Sequence, residues 1–264
     1  MTVYWILFFS MLLVTTTSVA SPLALSSGNA TITVDPASVF GLSSYTVNGT
    51  EEIFEQQFWY RLAAFPYEQP LNTLPLLSAS AIGNQIQASF ASSNFGVNLT
   101  YQLVGGTPGN TSADLHEVVT LRNLSGTNLP IAWYMEADFD LGGFGGQDIA
   151  IGGVDGVIQT DGTTLLRVQS SLIPDAFQIA GFPDLFLSLA DLSITNLDNT
   201  GSPFGPGDAT LAYQWNLTIP AGGSITYSVD KQFIPEPDAA TLCVVAIGVL
   251  AAVRLRRRQV SRHP

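Results

Sequence analysis

The sequence predicts an all-β protein, an antiparallel β-sandwich with one short helix, carrying an N-terminal signal peptide and a C-terminal single transmembrane helix. Three observations predict it. Apolar residues recur with a period of two through much of residues 21–234, glycine-rich turn signals separate those runs, and both ends of the chain hold apolar segments of targeting length.

The N-terminal run Tyr4 to Val14 (YWILFFSMLLV) is followed by Ser18-Val19-Ala20, with small residues at both positions a signal peptidase reads. Cleavage is expected between Ala20 and Ser21, which makes residues 1–20 an export signal. No Lys or Arg precedes the apolar core, so only the α-amino group sets its orientation.

Within the body, Leu211, Tyr213, Trp215, Leu217 and Ile219 alternate with Ala212, Gln214, Asn216 and Thr218, as in a strand with one buried and one wet face. Val97 to Leu103 and Ile225 to Val229 repeat the pattern. Between such runs stand Asn48-Gly49, Gly105 to Asn110, Asp155-Gly156, Asp161-Gly162 and Ala221-Gly222-Gly223, the chemistry of tight turns. Antiparallel strands in two packed sheets follow, with a barrel as the alternative. From Phe182 to Leu192 the apolar residues fall instead at helical spacing, with Asp184 placed early, where the helix dipole favours it.

Composition restricts the function classes. The whole chain carries a net charge of −12, and between residues 21 and 234 the only basic residues are Arg61, Arg122, Arg167 and Lys231. Such a surface repels phosphate backbones, so nucleic acid is excluded as a partner. Apolar residues make up 46% against 11% charged, which suits a packed core and not a disordered chain. The single cysteine, Cys243, lies in the apolar tail, so the body forms neither a disulfide nor a thiolate metal site.

One strand concentrates carboxylates. Ile131, Trp133, Met135, Ala137 and Phe139 alternate with Ala132, Tyr134, Glu136, Asp138 and Asp140, which sets the three acids on one face. A glycine-rich loop, Leu141 to Gly146, then leads to Asp148. Glu136, Asp138, Asp140 and Asp148 are the candidate ligands for calcium, a hard cation that takes oxygen donors in flexible geometry. The alternative is the solvated face of an edge strand, where charge discourages pairing. Apart from calcium no cofactor is expected.

Catalytic signals are weak. His116 is the one histidine of residues 21–234, no Gly-x-Ser-x-Gly elbow is present, and same-face carboxylates such as Glu136 and Asp138 meet a glycosidase spacing on any strand. The chain is therefore expected not to be an enzyme, with a secreted hydrolase as the third reading. Among the aromatics a sugar platform can use, Trp133 and Trp215 point inward, Tyr134 shares the acidic face, and Trp59 can face either way.

The tail carries a resemblance. Pro235-Glu236-Pro237 precedes an apolar run from Ala239 to Val253 and then Arg254, Arg256, Arg257 and Arg258. At about 1.5 Å per residue that run spans about 23 Å of a hydrocarbon layer about 30 Å thick, a marginal helix whose arginines stay cytoplasmic. Residues 235–264 thus resemble the sorting signal of the PEP-CTERM class of bacterial exported proteins. The resemblance implies recognition at Pro235, Glu236 and Pro237 by exosortase, a membrane-embedded protease, with the helix as a transient anchor. It also implies a product at the cell surface or in the extracellular matrix, associated with exopolysaccharide or biofilm. A permanent anchor is the alternative for the helix. For the body, residues 21–234, a carbohydrate- or calcium-binding surface module is the alternative to a surface protein of unspecified activity. Glu117 to Asn123 and Leu217 to Ser224 also resemble, weakly, segments of bacterial surface β-sandwich modules.

Overall fold

The computed structural model describes residues 22–235. The signal-peptide and cleavage residues, among them Ala20 and Ser21, lie outside the described residues, as do Glu236, Pro237, the apolar run and the arginines. Among the described residues no helix is long and apolar enough to cross a membrane.

The strands are β1 (Leu23–Ser27), β2 (Ala30–Val34), β3 (Leu42–Val47), β4 (Thr50–Glu51), β5 (Glu55–Leu62), β6 (Gln69–Pro70), β7 (Leu76–Ile82), β8 (Gln85–Ala91) and β9 (Phe95–Gly105). They continue as β10 (Ala113–Asn123), β11 (Leu129–Asp138), β12 (Asp148–Gly153), β13 (Gly156–Thr160), β14 (Thr164–Ser170), β15 (Ala176–Gly181), β16 (Phe204–Gly207), β17 (Ala209–Ile219) and β18 (Ser224–Pro235). The last strand ends on the first residue of Pro-Glu-Pro.

They form two antiparallel sheets. Sheet A runs β1-β2-β3-β5-β11-β17-β15, with β4 on β3 and β6 on β5, and sheet B runs β16-β12-β13-β14-β18-β10-β9-β8-β7. Each sheet has two open edges, so the architecture is the sandwich and not the barrel. One continuous core lies between them, fed by Phe58, Trp133, Met135, Tyr213 and Trp215 from sheet A and by Leu99, Val119, Tyr227 and Phe233 from sheet B. The large aromatics bury area and still satisfy their polar atoms: Trp133 Nε1 donates to Tyr227 Oη at 2.6 Å, and Trp215 Nε1 to the Leu172 carbonyl at 2.8 Å.

Sheet A is also covered on its other side. The helix α1 spans Asp184–Ala190, two residues shorter at each end than the periodicity predicts, with Asp184 in its first turn. Leu185 and Leu189 are buried while Leu192 is exposed, so only the central part of the apolar run packs. Leu189 and Phe186 pack on Trp59, Ala132 and Tyr134, while Leu185 and Leu197 pack on Ala176 and Ala212. The Glu68 carboxylate fastens this cover: it takes Arg61 Nε at 3.0 Å, the Tyr134 hydroxyl at 3.1 Å and the Thr195 N–H at 3.1 Å.

Sheet order and burial correct the picture of the acidic strand. β11 is no edge strand, because it lies between β5 and β17, and its second face is not wet, because Ala132, Tyr134, Glu136 and Asp138 are all buried.

Candidate functional site

Strand alternation puts Glu55, Gln57, Trp59 and Arg61 of β5 on the face of sheet A that points away from the core. The register sets Glu55 opposite Asp138 and Gln57 opposite Glu136 on β11, and Asp138 opposite Thr210 on β17. The cover reaches the middle of this face. At one end it leaves a concentration of acids: Glu55, Glu136 and Asp138 in the sheet, then Asp140 just past β11 and Asp208 just before β17.

These carboxylates have little internal support. Gln57 Nε2 donates to Glu136 Oε2 at 2.9 Å, but Glu136 Oε1, Asp138 Oδ1, Asp208 Oδ1 and both oxygens of Glu55 are buried without a hydrogen-bond partner. Burial penalises their charged forms. It pushes the Glu55 carboxyl up to about 7. Burial also raises Glu136 to about 8, against the Gln57 hydrogen bond and with a further push from Glu55. Asp138 rises to about 9, first through burial and then through repulsion by Asp208, Asp140, Glu136 and Glu55. Without a counter-cation Glu136 and Asp138 therefore favour the protonated, proton-donating form near neutral pH, with Glu55 close to its midpoint.

Aromatic residues pair with two of these acids through the backbone. The Phe54 N–H donates to the Asp138 carbonyl at 2.9 Å and the Phe182 N–H to the Asp208 carbonyl at 3.0 Å, so each ring is tied through backbone to an acid of the group. The two rings meet edge-on at 5.4 Å, and Phe40 meets Phe54 edge-on at 6.5 Å. All three remain substantially exposed, Phe54 by 52%. Exposed rings of this size next to buried polar groups mark a surface suited to binding.

Of the four candidate ligands read from the sequence, Asp138 and Asp140 come together, and their third neighbour is Asp208. Glu136 lies two residues back along the sheet, bonded to Gln57. The Asp148 carboxylate is engaged elsewhere, accepting from Gln159 Nε2 at 2.7 Å and the Leu141 N–H at 3.4 Å. Glu55, Asp208 and the three phenylalanines were not legible as site residues. The alternation of Glu55, Gln57 and Trp59 with Gln56, Phe58 and Tyr60 is the one signal that could have placed Glu55.

The other aromatic and basic candidates are structural or peripheral. Trp133 and Trp215 lie in the core, Trp59 is buried under the helix, and His116 pairs with Asp230 at 2.5 Å on the outer face of sheet B. At the far end of the sheet A face is an open groove of about 440 Å³, lined by Arg61, Phe65, Ile194, Asn216 and Thr218.

No family model and no curated protein matches the sequence. Solved structures share the fold. A galactose mutarotase related enzyme from Lactobacillus acidophilus superposes with a TM-score of 0.54 at 9% identity, over 83% of this chain and 99% of that one. An aldose epimerase homologue from C. elegans gives 0.53 at 8% identity, over 82% and 99%. A bacterial glucoamylase, solved with acarbose, gives 0.56 at 9% identity over 83% of this chain, which spans 32% of that protein's length. These identities establish a shared fold. They also correct the expectation that the chain is not an enzyme: enzymes are built on this sandwich, so the lack of histidine and cysteine motifs does not exclude catalysis.

Proposed function

We propose that the chain is an exported carbohydrate-active protein that engages sugar at the acidic, aromatic end of the sheet A face. The observation that supports this most directly is that exposed Phe54 and Phe182, whose rings meet each other, are paired through their backbone with Asp138 and Asp208, with Phe40 against Phe54. A pyranose has an apolar C–H face that an aromatic ring accepts and hydroxyls that carboxyl oxygens hold. The Glu55 carboxyl, raised by burial to about 7, is partly neutral at that pH and so can donate a proton to a glycosidic or hemiacetal oxygen. The likeness to chains named as mutarotase-related and glucoamylase supports sugar as the ligand class.

Calorimetric titration with soluble exopolysaccharide and simple hexoses tests the binding, with polarimetry and reducing-sugar release as readouts of turnover. Phe54→Ala with Phe182→Ala should weaken binding about tenfold, or about 1.4 kcal/mol, with the fold intact by circular dichroism. Unchanged binding in that variant, with loss on Asn216→Ala in the far groove, would overturn the location. Failure of the wild-type protein to bind any sugar would overturn the ligand class.

The delivery route is proposed from the two ends of the sequence. Signal peptidase and then exosortase would process the chain, leaving the body at the surface or in the extracellular matrix. Intact mass of the protein recovered outside the cell should lack residues 1–20 and the residues beyond about Pro235. A full-length C-terminus would instead indicate a retained anchor.

A further inference from the structure

We propose that Asp138, Asp140 and Asp208 bind a divalent, oxygen-seeking cation of the calcium class. The three carboxylates offer oxygens that all lie within 4.8 Å of one another. Ligands at about 2.4 Å from a shared calcium ion are separated by at most about 5 Å, so the group needs little closure.

Two further observations support a site there, the first of which points to a ligand. Asp138 is 2% exposed and its Oδ1 has no partner, nor has Asp208 Oδ1, while Glu55, directly opposite Asp138 and 1% exposed, has neither oxygen paired. Burying unpaired carboxylate oxygens is costly unless a cation meets them. The second observation is Gly145. A β-carbon on it would lie 2.2 Å from Asp140 Oδ1 and 2.6 Å from Asp208 Oδ1, so only glycine here lets the two carboxylates draw this close together.

No protein cation serves this purpose among the described residues. Arg61 is engaged by Glu68 and Lys231 by Glu117, while Arg122 and Arg167 are exposed on sheet B. The donor set selects the metal class: carboxylate oxygens without imidazole or thiolate suit calcium, magnesium or manganese and not zinc or copper. Of these, calcium best tolerates an irregular group in which two aspartates stand at a strand end and the third comes from the connection between β16 and β17. The site does not rest on the sugar reading, since a cation can bind here whether or not sugar does.

The test uses the full exported protein, stripped with chelator and titrated with calcium chloride. Calorimetry should show saturable binding, and the melting temperature should rise with calcium concentration. Asp208→Asn, at a half-buried loop position, should weaken the calcium affinity about tenfold or more while retaining the fold. Gly145→Ala should do the same by forcing the Asp140 and Asp208 carboxylates apart. Absence of heat and of thermal shift in the wild-type protein would overturn the proposal, as would an Asp208→Asn variant that titrates unchanged. A response to zinc chloride but not to calcium chloride would overturn the metal class.

Discussion

Lys231→Met should destabilise the body by about 3–5 kcal/mol, the cost of leaving a buried charge without its partner. Lys231 lies on the inward face of β18 between Val229 and Phe233 and is wholly buried. Its Nζ sits 2.5 Å from Glu117 Oε2 on β10, and Gln56 of sheet A donates to both Glu117 oxygens at 3.1 and 3.0 Å. A charged cluster therefore ties the two sheets together through the middle of the sandwich. Burial pulls the Lys231 ammonium below its ordinary value while the Glu117 charge opposes that pull. The same carboxylate helps to keep the buried Tyr101 hydroxyl un-ionised, a smaller effect than burial itself. Methionine keeps most of the lysine volume, so the loss isolates the charge. In urea unfolding, Lys231→Met with Glu117→Met should recover most of the stability, because a packed apolar pair is often as good as a buried ion pair. A single variant within about 1 kcal/mol of wild type would show instead that the buried pair adds no net stability.

How much of this was legible in the sequence depended on how local each cause is. The alternation of Leu211, Tyr213, Trp215 and Ile219 marks a strand whose inward residues are buried, because a strand's two faces are fixed by adjacent residues alone. The inward position of Trp133 and Trp215 followed for the same reason. Lys231 continues the register of Tyr227 and Val229 into the core, yet polarity alone argues for the opposite face. Its burial depends on Glu117, more than 100 positions earlier. The second face of β11 looks wet because Glu136 and Asp138 stand on it. A helix supplied some 50 residues later covers the other half of that face, at Ala132 and Tyr134, and those two residues were the faint local sign that the face is not solvated along its length. Asp208 joins Asp138 and Asp140 only because β17 pairs with β11. Pairings over such distances are set by the whole sheet order, which no single segment encodes.

Glu52→Gln should stabilise the protein at neutral pH by about 2–3 kcal/mol and flatten its pH dependence. Glu52 is 4% exposed, and its Oε2 accepts the Gly142 N–H at 2.9 Å. Burial pushes its carboxyl up to about 7; the Gly142 hydrogen bond opposes this, while Asp161, Asp148 and Glu51 add repulsion. The folded value thus lies above the unfolded 4.5. The folded state accordingly binds the proton more tightly, which is a stabilising contribution fully present below about pH 4.5. It is lost as pH rises to about 7 and stays lost above that. Glutamine keeps an acceptor for the Gly142 N–H and never ionises, so the variant escapes the loss. Denaturation measured in chelator between pH 4.5 and pH 8 should show the gap between variant and wild type opening across this window. The comparison at each pH removes most of the contribution of Asp148, whose carboxyl is also raised to about 7, and leaves in the gap only its repulsion with Glu52. A gap that is constant with pH would mean that the Glu52 carboxylate is ionised in the folded protein, with the Gly142 loop supplying enough N–H dipole to hold the charge.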